Sequence, residues 1–253
     1  FENKFPSLSQ PPPTPDIEGS ALYQTALAEG VCEVVLYSPD HHSSLAKESV
    51  EHIQNLIEVW TDRYLELGQE PNIQYVLIFE NKGDAVGVTL AHPHGQIYAF
   101  PFIPPILERE LQAALEHQEE TGQCLYCDIM AEEKQDQVRI IAENGEFMAF
   151  VPFFARYPFE VHIYARRHVT SLAQLTPEEQ GGLASVLKQV VIKYDSLFGF
   201  SLPYIMVLHQ APTKGVYPHY HFHIELYPLN RTASKLKYLA GVESGAGTFI
   251  TDM

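Results

Sequence analysis

His92-Pro93-His94-Gly95-Gln96 sets two imidazoles and a carboxamide on alternate residues. In a strand, alternate residues share a face, so this spacing aligns His92, His94 and Gln96, with Pro93 and Gly95 leaving room above them. A neutral imidazole is a good nucleophile toward phosphorus when its other nitrogen carries the proton and donates it, commonly to a backbone carbonyl. Gln96 would donate an N–H to the non-bridging oxygens of a phosphate under attack. The preceding loop, Gly83 to Thr89 with a second glycine at Gly87, is expected to bring backbone N–H groups close to phosphate. The same residues suit a surface or metal-binding histidine pair, and chemistry alone leaves both readings open.

A second grouping surrounds the cysteines. Cys124 and Cys127 form a C-x-x-C pair among three cysteines. Such a pair suits an intracellular metal site better than a disulfide framework, although two thiols need no metal. The partners emerge from an internal repeat. Ser38-Pro39-Asp40-His41 matches Ala165-Arg166-Arg167-His168 at an offset of 168−41 = 127, and His92 through Pro101 matches His219 through Pro228 at 219−92 = 127. Each half then holds a histidine, a helix and a second histidine 51 residues on (92−41 and 219−168). Cys124, Cys127, His168 and His219 make a Cys2His2 set, the donor set of structural zinc.

The elements that must position these groups are legible from periodicity. Glu48 to Leu67 has Val50, Ile53, Ile57, Trp60 and Tyr64 on one helical face. Thr176-Pro177-Glu178-Glu179 starts a second helix with a Thr cap, Pro at the first position and Glu three residues after the cap. Leu183, Val186, Leu187, Val190, Val191 and Tyr194 form its apolar face, and Gly199 ends it. Strands are expected at 71–79, 92–100, 204–208 and 219–227. The resulting fold class is α+β: a duplicated unit with antiparallel sheets and flanking helices, its halves at 1–118 and 119–253.

Composition narrows the function classes. A chain of 253 residues, 45% hydrophobic, is long enough for one large core or two small ones. A formal charge of −16 argues against nucleic-acid binding. No apolar run approaches the ~20 residues of a membrane span, and no signal-peptide pattern is present, so a cytoplasmic location is expected. The chain begins at Phe1 rather than Met, which points to a longer parent sequence.

The segment Phe79-Glu80-Asn81-Lys82-Gly83 through Val86-Gly87 to His92-Pro93-His94-Gly95-Gln96-Ile97-Tyr98-Ala99 resembles the active-site segment of the galactose-1-phosphate uridylyltransferases, members of the histidine-triad superfamily. The likeness continues through Ser38-Pro39-Asp40-His41, Tyr157-Pro158-Phe159-Glu160 and His209-Gln210-Ala211-Pro212. It implies a ping-pong enzyme in which His94 attacks the α-phosphorus of UDP-glucose, glucose 1-phosphate leaves, and a hexose 1-phosphate takes the uridylyl group. Asn81 and Gln96 match phosphate-contacting positions, and Asn3 matches a uridine-pocket position loosely. Lys237 and Glu243 match residues of the family's C-terminal segment, whereas Val242 stands where a Tyr is usual. The resemblance further implies zinc at His41 and His92, completed by a C-x-x-C expected before Phe1. A further metal is implied at Glu110, His209 and His223, with Glu225 replacing a histidine. The oxygen-richer set moves preference toward iron, manganese or zinc in a more open geometry. His221 stands at the nucleophile position of the second half, where Phe222 and His223 replace Gly and Gln, and is expected to be structural. A homodimer is implied. Rival readings are an ADP-glucose or dinucleotide phosphorylase of the same superfamily, and a non-catalytic nucleotide-binding protein.

Overall fold

Two capped helices anchor the structure. Ser49 caps α1 (Val50–Gln69), its side chain accepting from the His52 N–H. Thr176 and Glu179 form a reciprocal capping box at the start of α4 (Pro177–Leu197), and Gly199 follows its end with a φ of 75°. Such caps are worth about 1 kcal/mol each because they satisfy N–H groups that the helix itself leaves without partners. Both helices bury the predicted faces except at Val50, which is exposed at the start of α1. Ile53, Leu56, Ile57, Trp60, Tyr64 and Leu67 of α1 join Leu183, Val186, Leu187, Val190, Val191 and Tyr194 of α4 in one core.

That core lies on one face of an eight-stranded antiparallel sheet. Its strands are β1 (Val31–Leu36), β2 (Tyr75–Lys82), β3 (His94–Phe100), β4 (Ile140–Glu143), β5 (Phe147–Phe150), β6 (Val161–Ala165), β7 (Tyr204–His209) and β8 (His223–Pro228). They run in the order β1-β3-β2-β7-β8-β6-β5-β4. The sheets expected of two halves are thus joined edge to edge through β2 and β7. The joint is two-fold in character: Phe79 pairs with Gln96 on one side and Val207 on the other, and Val207 pairs with Glu225. The computed structural model describes residues 1–250 apart from Thr89 and Ala91.

The opposite face is covered unequally. Over the second half, α2 (Pro105–Thr121) and α3 (Leu125–Asp136) lay Leu111, Ala114, Tyr126 and Met130 onto Met148, Phe150 and Tyr164. Both faces of β6 are therefore buried. In β3, only Gly95, Ile97 and Ala99 are buried, while His94, Gln96, Tyr98 and Phe100 stay partly accessible. The chain closes with a hairpin, β9 (Asn230–Thr232) and β10 (Lys235–Leu236), and a short helix α5 (Gly241–Ala246).

Three strands start later than the alternation predicts, β2 among them, at Tyr75 rather than residue 71. His92 and Pro93 precede β3, where the Tyr37 N–H donates to the Pro93 carbonyl and Pro93 has no N–H of its own to give. Residues 219–222 lie outside β8: the Tyr220 N–H closes a turn on Tyr217, and that of Phe222 donates to Val169.

Candidate active site

His94 opens β3 with its Nδ1 2.8 Å from the His92 carbonyl. A carbonyl only accepts, so Nδ1 carries the proton and Nε2 keeps a free lone pair. The His92 ring is fixed in turn, with Nε2 2.7 Å from the Ser38 carbonyl and Nδ1 2.9 Å from His41 Nδ1. The two Nδ1 atoms lie at hydrogen-bonding distance, so the rings face one another. Gln96 follows His94 on the same face of β3. Gly95 between them is required by contact: a Cβ there would lie 2.1 Å from the Tyr37 hydroxyl oxygen.

Beside His94 is a cleft lined by Asn81, Lys82, Gly83, Ser43, Ser44, His92 and Ser201. Gly87 does not line it. Its N–H donates to Asp84 and that of Val86 to Gly83, so the turn takes up two backbone donors expected to reach phosphate. The φ of 82° at Gly87 shows what this glycine supplies instead, a left-handed turn end. Thr89 lies outside the described residues. Asn3 lines a separate cleft with Ser9, Gln10 and Cys32, and its Oδ1 accepts the Phe5 N–H. Lys237 is buried and paired with Glu243 at 2.9 Å, with neither residue lining the His94 cleft.

At the start of the second half, Cys124, Cys127, His168 and His221 converge. His221 Nδ1 is 3.6 Å from each Sγ, and His168 Nδ1 is 3.9 Å from that of Cys127. Bonds of ~2.3 and ~2.05 Å at a tetrahedral angle put S and N about 3.6 Å apart, so the spacing fits zinc. The hydrogen bond from Cys127, with help from His221, pushes the Cys124 thiol well down. His219 is not in this set; its ring lies against Tyr217. The correction is a register one. His221 Nε2 meets the Ala165 carbonyl at 2.8 Å as His92 Nε2 meets Ser38, and His223 Nδ1 meets the His221 carbonyl at 2.8 Å as His94 does His92. The offset is therefore 127 at Ser38/Ala165 but 221−92 = 129 at the strand. A slip of two residues keeps every side chain on its face, so alternation could not reveal it. It also moves the nucleophile counterpart from His221 to His223, and the Gln96 counterpart to Glu225.

A third cluster is buried on the same sheet face as His94. His209 Nδ1 is 2.8 Å from Glu110, and Tyr220 donates to the same carboxylate. Glu110, His209 and His223 group as possible ligands, with Glu225 Oε1 3.4 Å from His223 Nε2 and Oε2 3.7 Å from His209 Nε2. Burial alone would raise Glu225; the imidazoles of His162 and His209 outweigh it and hold its carboxyl well below the usual range. Burial works against a charged His209, but Glu110 and Glu225 outweigh it and raise the ring to about 9. Sequence reasoning missed His162, Arg156 and the role of Glu160 here. Glu160 accepts the backbone N–H groups of Arg156 and Tyr157, and Arg156 reaches Glu225 at 2.7 Å.

Residues 1–104 match the model of the galactose-1-phosphate uridyl transferase N-terminal domain, and 109–244 that of the C-terminal domain. The galactose-1-phosphate uridylyltransferase of Thermotoga maritima is 42% identical over 99% of this chain and 79% of its own length. That of Haemophilus influenzae is 36% identical over 96% of this chain and 70% of its own length. A solved uridylyltransferase structure superposes with a TM-score of 0.94 at 39% identity, covering 100% of this chain and 81% of that one. An ADP-glucose phosphorylase from Arabidopsis thaliana gives 0.85 at 27% identity, covering 98% and 75%. The paired halves, the two domain matches and the similarity along nearly all of this chain lead to one conclusion: the chain belongs to the galactose-1-phosphate uridylyltransferase family.

Proposed function

We propose that the chain transfers a uridylyl group from UDP-glucose to a hexose 1-phosphate, galactose 1-phosphate above all, through His94. The observation that carries this is the Nδ1 contact of His94 with the His92 carbonyl, which leaves Nε2 bare at the edge of an open cleft. Nε2 attacks the α-phosphorus, and the phosphorus–oxygen bond to glucose 1-phosphate breaks with its electrons on that oxygen. A phosphate leaves readily as an anion, so no general acid is required. Positive charge on the phosphorylated ring is shared through Nδ1–H with the His92 carbonyl. Gln96 donates to the non-bridging oxygens, where charge grows in the transition state. An oxygen of the incoming hexose 1-phosphate then attacks phosphorus, and the bond to Nε2 breaks to restore the neutral ring. Asn81 holds the phosphates in this reading, and Asn3 belongs to the nucleoside side of the substrate.

Metals complete the proposal. Cys124, Cys127, His168 and His221 hold zinc, and His41 with His92 contribute to a second zinc that fixes the carbonyl on which His94 depends. Glu110, His209, His223 and Glu225 hold a further divalent ion, iron, manganese or zinc. Its role is structural, because Glu225 and Gln96 are separated by three inter-strand gaps, about 14 Å. The protein acts as a cytoplasmic homodimer; exposed Phe1, Phe5, Leu22 and Tyr23 support an interface, and no helix among the described residues is long and apolar enough to cross a membrane.

Exchange of labelled glucose 1-phosphate into UDP-glucose, without any second sugar phosphate, tests the ping-pong reading. Rapid exchange with UDP-glucose and little with ADP-glucose is expected. Exchange that requires galactose 1-phosphate, or that prefers ADP-glucose, would overturn it, the latter in favour of a phosphorylase.

A further inference from the structure

We propose that His162 is a ligand of the ion held by His209, His223 and Glu225, an inference that rests on the metal reading above. The β6–β8 register pairs His162 directly with Glu225. His162 Nε2 lies 3.4 Å from Glu225 Oε1, the same distance as His223 Nε2 from that atom. With His209 Nε2 near the other oxygen, three imidazole nitrogens surround one carboxylate. All four residues are at most 4% exposed.

Hydrogen-bond accounting says what belongs among them. His223 has given its Nδ1 proton to the His221 carbonyl, and His209 has given its own to Glu110. In the neutral form that metal binding requires of both rings, their Nε2 lone pairs face carboxylate lone pairs. Acceptors opposed to acceptors in a buried site call for a cation. His162 Nε2 lies 2.9 Å from Glu160 Oε1 as well as facing Glu225. With its proton on Nδ1, donated to the Tyr164 hydroxyl 3.3 Å away, its Nε2 lone pair opposes carboxylate oxygens as the other two do and is available to metal.

Charge limits the number of ions. Glu110, Glu160 and Glu225 bring three negative charges and Arg156, bonded to Glu225 and Glu160, brings one positive. One divalent ion neutralises the remainder, and two would overcharge the site. The charges therefore favour one ion, with His162 added to Glu110, His209, His223 and Glu225, over separate ions on either side of the Glu225 carboxylate. The neighbouring strand restores an imidazole to a set in which position 225 is a carboxylate. A cavity of about 240 Å³ lined by Glu110, Phe154, Arg156 and Glu225 leaves an approach to the ion.

The test is metal content per chain by mass spectrometry, with zinc or iron(II) competition titrations, on purified full-length protein. His162→Gln keeps an N–H for Glu225 and Glu160 but is a poor ligand. It should lose one equivalent or weaken binding at least ~10-fold, while His162→Cys, which offers a thiolate, should regain it. His209→Ala is the control for the ion itself. Cooperative melting establishes which variants are folded. If His162→Gln holds its full complement at wild-type affinity while His209→Ala loses one equivalent, His162 is no ligand and the inference fails alone. If His209→Ala also keeps every equivalent, the ion reading fails and takes the inference with it.

Discussion

The two halves carry the same hydrogen-bonded histidine pair and put it to different uses. In each, the first imidazole is held by a carbonyl across the sheet, and its own carbonyl takes the proton of the second. In the first half, His94 stays partly accessible and faces a cleft. In the second, His223 is 1% exposed, with the Tyr126 ring tilted against it, centroids 4.8 Å apart. The difference comes from what covers the sheet. The α2–α3 pair buries the second half's outer face, where Glu225 and two further imidazoles meet His223. Among the described residues, none covers the first half's face in this way. On the proposed function, an identical backbone device serves as a nucleophile where substrate can reach it and as a ligand where only an ion can. The chemistry is set by access and by the residue two positions on, Gln96 against Glu225.

The comparison breaks most sharply at His94. His94→Gly should lower turnover by about 10⁴-fold or more, the scale on which loss of a covalent nucleophile acts; steady-state transfer kinetics measure it. Turnover within tenfold of wild type would mean that the accessible imidazole is not the nucleophile. Gln96→Ala should cost ~100- to 1,000-fold in both half-reactions, as for the loss of one donor to a developing oxyanion. Unchanged single-turnover rates would remove Gln96 from the mechanism.

The metal arm sharpens the register. His221→Ala should release one equivalent of zinc and lower the melting temperature, whereas His219→Ala should keep that zinc. The reverse pattern in metal analysis would restore the uniform offset of 127. The smallest effect concerns Glu80, which is buried beside the Tyr204 hydroxyl where the symmetric position holds Leu208. Burial raises its carboxyl to about 8, against a partial offset from Lys82. The unfolded chain releases that proton near pH 4.5, so between there and about 8 the unfolded state binds fewer protons. Stability should therefore fall as pH rises through that window, by up to ~1.4 kcal/mol per unit, and level off above it. Glu80→Gln should flatten this slope in denaturant titrations; an unaltered slope would show that Glu80 is ionised in the folded protein.

Much of this was legible in the residues. The Thr176 cap, the apolar faces of α1 and α4 and the HPHGQ motif rest on short-range patterns, the duplication on motifs repeated at a distance, and the class of fold follows from them. The register of the second half was not legible. Pro101 and Pro228 look like equivalent strand ends, but Pro228 belongs to β8 whereas Pro101 follows β3. The equal spacing of 51 reinforced that false anchor, and a two-residue shift leaves the alternation intact. His162 escaped notice because it lies in an apolar strand, VHIYA, with nothing in its local sequence to mark a ligand. Only strand pairing brings it to Glu225. Gly87 shows a related limit: a glycine-rich loop signals a turn, but whether its N–H groups are free depends on the hydrogen bonds that close the turn.

The most direct test of the account is the intact mass of the wild-type protein after incubation with UDP-glucose alone, followed by peptide mapping of the product. The account predicts one uridylyl group per chain, acid-labile as a phosphoramidate and located on His94. No adduct, or an adduct on any residue other than His94, would contradict it.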